Sequence, residues 1–141
     1  AWLPALRLLL GFDAIEWPLP CIEESDCAAA MLSTLQCLAA LNPLHVLCSH
    51  GNVSNPALIQ ENLAYFQEIE RRAHQLLAQR LPAVHELEQA AALINYPFAE
   101  AIAHVSADID RAYYSWAHEQ NARAILTHLR TQHLQAANET A

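Results

Sequence analysis

Lysine is absent from this chain of 141 residues, and all seven of its basic residues are arginines. Without lysine the chain cannot form a Schiff base on a side-chain amine or bind phosphate with a P-loop lysine. The formal net charge is -8, and the one local cluster of positive charge, Arg71-Arg72, follows Glu68 and Glu70. Because a nucleic-acid surface needs clustered positive charge, we expect no nucleic-acid partner.

Long apolar runs are also missing. No stretch of about 18 consecutive apolar residues occurs, so the sequence predicts no transmembrane helix and no membrane partner. Residues 1–4 resemble neither a signal peptide nor a natural translation start, and we expect an upstream part of the protein to precede them.

Cysteine pairs of the C-x-x-C type are absent, which excludes a zinc ribbon and a thioredoxin-type motif. We expect the four cysteines to be reduced thiols of a cytoplasmic protein. They are Cys21, Cys27, Cys37 and Cys48.

The composition is that of a folded chain, because 54% of the residues are apolar and 16% are charged. The apolar run in residues 6–10 predicts a buried strand that ends near Gly11, with Asp13 at its carboxyl edge. A helix then begins at Ser25 or Asp26 and stops at Asn42-Pro43, and residues 44–48 form a second strand. Two short strands leave open edges, so we expect another segment or chain to pair with them.

The remainder of the sequence predicts helices. Asn55-Pro56 begins a helix that runs to about Arg80, with a buried face formed by Ile59, Leu63, Phe66, Ile69, Ala73 and Leu76. Residues 83–94 and 97–105 have helical patterns, and a last helix runs from about Asp108 to about Gln135. The apolar side of this last helix consists of Ile109, Ala112, Tyr113, Trp116, Ile125 and Leu129. The predicted fold class is therefore mainly α with two or three short strands.

Two potential metal ligands occupy parallel positions in this arrangement. Asp13 follows the first strand and His50 follows the second, and a helix connects the two strands. In layered α/β folds, groups beyond the strand ends converge on one site. A carboxylate and an imidazole are suitable ligands for Zn, Fe or Mn.

Three segments resemble the C-terminal part of a metallo-β-lactamase-fold hydrolase. The run from Leu8 to Pro18, which contains Gly11-Phe12-Asp13, is similar to that family's strand ending in Gly-Asp. Residues 35–47 followed by Ser49-His50-Gly51 resemble its helix, Asx-Pro, strand and Gly-His-Gly series. Residues 54–63 resemble the helix that comes next. The likeness covers residues 8–77 in order and spacing.

The resemblance implies a fold and an activity. Residues 1–81 would be the C-terminal half of an αββα sandwich, and residues 82–141 would be a helical extension. Two metal ions, Zn or else Fe or Mn, would be bridged by Asp13, and His50 would bind the second ion. The reaction would be hydrolysis of an ester, thioester or lactone-like bond in a small-molecule substrate. The family's His-x-His-x-Asp-His motif is absent, so we expect the chain to be inactive without its N-terminal half.

The sequence is also compatible with other interpretations. The chain could be a non-catalytic helical module that binds a partner or dimerises, and we expect a homo-oligomer or pairing with the missing half. Trp17 could line a substrate pocket, and so could Tyr113, Tyr114 and Trp116, although core packing or a dimer seam is the simpler role for those three. Cys48 could be a nucleophile, because it lies two residues before His50. His85-Glu86 and His118-Glu119 begin H-E-x-x-H patterns that neither completes.

Overall fold

A computed structural model describes residues 1–22, 24–50, 54–105 and 108–139 of the chain. The fold is mainly α-helical with one three-stranded sheet, which confirms the predicted fold class. The strands are β1 (Trp2–Leu3), β2 (Leu8–Phe12) and β3 (His45–Cys48). The α-helices are α1 (Cys27–Ala40), α2 (Ala57–Gln79), α3 (Ala90–Leu93), α4 (Phe98–Ala101) and α5 (Arg111–Glu139), and 3-10 helices span Pro4–Leu6 and Val84–Gln89. None of the helices in these ranges is both long and apolar enough to cross a bilayer.

The sheet has the strand order β1-β2-β3. Strand β2 pairs with β3 in parallel, and α1 forms the connection between them, as the sequence predicts. The short strand β1 was not predicted, and it pairs antiparallel with β2 along the edge that the sequence left open. On the opposite edge of the sheet, the Val46 amide donates to the Ser54 carbonyl over 3.2 Å. Both expected open edges are therefore partly satisfied within the described chain.

The two faces of the sheet differ in burial. On one face, Leu9 and Val46 belong to the same buried core as Phe66 of α2. Paired residues on neighbouring strands lie on the same face of a sheet, so the register defines the members of the other face. They are Leu3, Leu8, Leu10, His45 and Leu47. None of these five is fully buried, and Leu3 and Leu47 are exposed, so one sheet face is largely apolar and uncovered.

Helix α2 confirms the predicted buried face. All of its predicted core positions except the half-buried Leu76 are buried, because they recur at helical spacing on the side toward the core. The Asn55 side chain accepts a hydrogen bond from the Ala57 amide over 2.9 Å and so satisfies one amide of the first turn. The segment that follows is less regular than predicted. Residues 83–94 contain a 3-10 helix followed by α3, and residues 97–105 contain the single-turn helix α4.

Helix α5 begins at Arg111, because the Asp110 carboxylate accepts hydrogen bonds from the Ala112 and Tyr113 amides. The prediction for its buried face was partly wrong. Ile125 and Leu129 are buried, but Tyr113 and Trp116 are exposed. The inward positions instead include three polar side chains, Tyr114, His118 and Asn121. Each of them forms buried hydrogen bonds, so a pattern of apolar residues alone could not find this face.

The core is continuous across the predicted division of the chain. Buried residues of α2, the segment after it and α5 form one cluster with those of the sheet. The proposed boundary between residues 81 and 82 stays a prediction. The free energy of folding is nonetheless shared by residues on both sides of it, because apolar burial contributes wherever the core extends.

Gly11 permits the tight approach of the turn that follows β2. A Cβ atom at this position would lie 2.8 Å from the Ile15 Cβ and 2.9 Å from its Cδ1. We expect Gly11→Ala to lower the free energy of unfolding by about 1–3 kcal/mol, because overpacking forces the buried Ile15 to move. Urea unfolding of this variant, with Ala29→Ser on the exposed side of α1 as control, measures the effect. A Gly11→Ala protein as stable as wild type would contradict this account of the turn.

Candidate functional site

Asp13 and His50 lie next to each other in the folded chain. Strands β2 and β3 are parallel, so their carboxyl ends meet at one edge of the sheet, and each residue follows one of these ends. The distance between His50 Nε2 and Asp13 Oδ1 is 4.0 Å, and the side chains are 64% and 80% exposed. The structure therefore brings together the two ligands that the sequence predicts.

The turn between β2 and Asp13 sets this geometry. Phe12 adopts a left-handed conformation, with a φ of 49°, beside an irregularity in the pairing of β2 with β3. The Ser49 amide donates to the Phe12 carbonyl over 3.4 Å, and the Ala14 amide donates to the Gly11 carbonyl over 3.2 Å. These contacts join the turn to the end of β3. Phe12 therefore fits between Gly11 and Asp13 in this turn, and the Asp13 side chain stays 4.0 Å from His50.

The Asp13–His50 pair has the chemistry of a partial metal site. Zinc lies about 2.0–2.2 Å from carboxylate oxygen and imidazole nitrogen, so two such atoms on one tetrahedral ion are about 3.4 Å apart. The observed 4.0 Å lies within a small rotation of that value, and both side chains are exposed enough to rotate. The donor set therefore fits Zn, Fe or Mn, but two protein ligands are fewer than the three of a usual catalytic zinc site. Gly51, which follows His50 in the sequence motif, lies outside the described residues.

A buried carboxyl group that the sequence analysis did not identify, Glu16, lies near Asp13 and His50. Glu16 is only 3% exposed, and its side chain Oε1 is 3.0 Å from the Tyr114 hydroxyl oxygen. Its backbone amide donates to Asn62 Oδ1 over 3.0 Å, and its carbonyl accepts from Asn62 Nδ2 over 2.9 Å. Burial raises the pKa of Glu16, the bond to Tyr114 and the charge of His50 lower it, and the charge of Asp13 raises it. Glu16 is thus electrostatically coupled to both candidate ligands.

A second buried network fixes the segment after Glu16. Asn121 donates from Nδ2 to the Pro20 carbonyl over 2.8 Å and to the Tyr65 hydroxyl over 3.1 Å. Its Oδ1 accepts from the Ile22 amide over 2.7 Å. The spacing of Tyr114, His118 and Asn121 at intervals of four and three residues along one helix was the available sequence signal. This spacing alone does not predict the network, because the hydrogen-bond partners Pro20 and Ile22 come from a distant segment of the chain.

The remaining candidates take other places. Trp17 is half-buried in the segment after Asp13, and the Cys48 thiol donates to the His50 carbonyl over 2.9 Å. His118 is buried and hydrogen-bonded through both ring nitrogens, and His85 is exposed.

A cleft of about 360 Å³ beside Asp13 is lined by Ala14, Cys21, Ile22, Glu24, Cys27 and Met31. The ligand atoms of Glu24, Asp26 and Cys27 lie within 4.8 Å of one another at its exposed rim.

No protein-family model, curated protein or solved structure matches this chain.

Proposed function

We propose that this chain carries part of the metal site of a metal-dependent hydrolase that cleaves an ester, thioester or lactone-like bond. The observation that carries the proposal is the convergence of Asp13 and His50, 37 residues apart in sequence, to 4.0 Å at one edge of the sheet. Loop carboxylates and histidines are common singly, but their meeting beyond two parallel strand ends is typical of a built site. The sequence resemblance to metallo-β-lactamase-fold hydrolases supports the same assignment.

The roles of the chain's own residues follow from their positions. His50 would hold a Zn, Fe or Mn ion through Nε2, and Asp13 would offer a carboxylate to the same ion or to bridge it to a second. Such ions, when bound, polarise a carbonyl oxygen and lower the pKa of a bound water. Gly11 and Phe12 hold Asp13 close to His50, and the cleft of about 360 Å³ beside Asp13 offers space for a small-molecule substrate.

The site needs further ligands from outside the pair. The uncovered sheet face is the surface on which another layer would pack, because parallel strands are normally covered on both faces. Leu3 and Leu47 on this face, together with the neighbouring Leu6 and Leu44, are all exposed. A second copy of the chain packed here would lie beside the edge that carries Asp13 and His50. We propose that such a layer completes the ligand set.

Metal content after incubation with Zn, Mn or Fe and removal of free metal tests the proposed function. Elemental mass spectrometry should find bound metal in the wild-type chain at close to one ion per site. The His50→Ala and Asp13→Asn variants should lose most of it, because each removes one of few ligands. His74→Ala, an exposed histidine on α2, is the matched control and should retain the wild-type amount.

Metal that is absent from the wild type, or that persists in His50→Ala, would contradict the proposal. Circular dichroism of each variant separates ligand loss from unfolding. Metal that is retained in His50→Ala would have to bind elsewhere, for example to Glu24, Asp26 and Cys27 at the rim of the cleft.

A non-catalytic interaction module is the second candidate function. Its supporting observation is the exposed aromatic pair Tyr113 and Trp116 on α5, whose ring centroids are 5.8 Å apart. Tyrosine and tryptophan are enriched in protein interfaces. Metal-free protein in the experiment above, combined with a dimer in light scattering that Trp116→Ser dissociates, would favour this alternative.

A further inference from the structure

Glu16 is a buried acid that forms no hydrogen bond with a basic side chain among the described residues. Its carboxyl group lies between the turn that bears Asp13 and helix α5, and its residue is 3% exposed. Among the ion pairs formed by the described residues, none involves Glu16. An ionised carboxylate in such a place would need a cation or several donors to offset the loss of its hydration. Among the described residues, the side-chain group that forms a hydrogen bond with the Glu16 carboxyl is the neutral hydroxyl of Tyr114.

The number of protons in this contact decides the direction of its hydrogen bonds. The Tyr114 hydroxyl oxygen lies 3.0 Å from Glu16 Oε1 and also 3.0 Å from the Trp17 carbonyl oxygen. A hydroxyl group has one proton, and a backbone carbonyl can only accept. Both contacts of 3.0 Å are full hydrogen bonds only when Tyr114 donates to the Trp17 carbonyl and the Glu16 carboxyl donates to Tyr114. That arrangement requires a proton on Glu16.

The charged neighbours agree with this direction. The titratable groups that face Glu16 are Tyr114 from α5, His50 from the end of β3 and Asp13 from its own turn. Burial is the largest influence on the Glu16 pKa and raises it, and the negative charge of Asp13 acts in the same direction. The bond to Tyr114 and the charge of His50 oppose these two effects without overcoming them.

We propose that Glu16 is a neutral carboxylic acid at neutral pH and that Glu16 and Tyr114 form an uncharged positioning pair beneath the Asp13 turn. Glu16 is then not a third carboxylate ligand beside Asp13 and His50. The pair instead ties the turn to α5, so a residue of the C-terminal helix holds the site. The positioning of a metal ligand rests on the proposed function, whereas the protonation of Glu16 does not.

Infrared spectroscopy in D2O at neutral pH tests the proton directly. The carbonyl-stretch band of a protonated carboxylic acid should be present in the wild type, and Glu16→Gln should remove one such carboxyl per molecule. Tyr114→Phe should shift the frequency of this band, because it removes the hydrogen-bond acceptor of the acid. Glu61→Gln, at an exposed position of α2, should leave the band unchanged.

An infrared spectrum that is the same in wild type and Glu16→Gln would overturn the inference, since Tyr114 would then donate to an ionised Glu16. If Glu16→Gln does not fold, the band shift in Tyr114→Phe remains decisive, and an unshifted band counts against the pair. Both spectra are recorded on metal-free protein, because a cation at Asp13 and His50 would also act on the Glu16 carboxyl. A protein that shows the band but binds no metal contradicts the proposed function alone, and a protein that binds metal but lacks the band contradicts this inference alone.

Discussion

Replacing Asn121 by alanine should lower the free energy of unfolding by about 3 kcal/mol, a large effect for a single substitution. Asn121 is 0% exposed, and its side chain bonds to the Ile22 amide, the Pro20 carbonyl and the Tyr65 hydroxyl. The substitution leaves two buried backbone groups without partners, and each costs about 1–3 kcal/mol. The Tyr65 hydroxyl retains its hydrogen bond with His118, so losing the bond to Asn121 costs less than leaving a backbone group without a partner.

Urea unfolding measures this effect through the midpoint and slope of the transition. Asn138→Ala near the C-terminal end of α5 is the matched control, because Asn138 is exposed and the same atoms are removed. We expect the control to change stability by less than about 0.5 kcal/mol. An Asn121→Ala protein no less stable than this control would show that water satisfies the Pro20 and Ile22 groups.

Acid should destabilise the protein through His118, by up to about 1.4 kcal/mol for each pH unit within the titration range of this group. His118 Nε2 lies 2.7 Å from the Tyr96 carbonyl, which can only accept, so the proton of the neutral ring lies on Nε2. Nδ1 then accepts from the Tyr65 hydroxyl over 2.9 Å. Protonation of Nδ1 would make it a donor that faces the Tyr65 hydroxyl group, which also donates. Burial lowers the pKa of His118 below its ordinary value of 6.5, although the bond to Tyr96 opposes the shift.

The sign of this effect follows from proton binding. Below pH 6.5 the unfolded chain binds a proton at this histidine and the folded chain does not, so stability falls until the lowered folded pKa is reached. Glu16 and Glu119 act in the opposite direction, because burial raises the pKa of both from 4.5. Their contribution to stability is complete below pH 4.5 and is lost as pH rises through their folded pKa values.

The His118 contribution is therefore measured as a difference between proteins. The free energy of unfolding of wild type minus that of His118→Gln should decrease as pH falls from 7 through 6.5. His74→Gln, at an exposed position of α2, is the control for replacing an imidazole by an amide. Parallel curves for wild type and His118→Gln would mean that His118 has the same pKa in the folded and the unfolded protein, and a difference that increases as pH falls would mean that folding raises this pKa.

Both predictions concern the buried hydrogen bonds that α5 forms with the rest of the protein. Helix α5 contributes Tyr114, His118 and Asn121, which bond to the segment after Asp13 and to the buried face of α2. Buried polar networks strengthen a fold when every member has its partner, and they are costly when one is removed. The C-terminal helix thereby determines the position of a turn that begins almost a hundred residues earlier in the chain.

Much of the fold could be predicted from local patterns. Residues 8–12 and 45–48 form strands because short apolar runs end at Gly11-Phe12 and begin after Asn42-Pro43. Helix α2 follows from an Asn-Pro start and a regular apolar face. The pairing of Asp13 with His50 followed from one further rule, that parallel strands place their carboxyl ends at one edge. Strand β1 was not predictable, since a two-residue strand carries no periodicity and exists only through its partner β2.

Local patterns in the sequence specify the class of fold, the main helices and strands, and the two candidate ligands that follow the two parallel strands. The distance of 4.0 Å between Asp13 and His50, the burial of Glu16 and the inward position of Tyr114 rather than Tyr113 instead depend on tertiary packing. Apolar periodicity is encoded by neighbours along the chain, because burial of a helix or strand face depends on residues a few positions apart. The hydrogen bonds of a buried polar group depend on partners from distant segments, such as Asn121 with Pro20 and Ile22, and no local pattern specifies them.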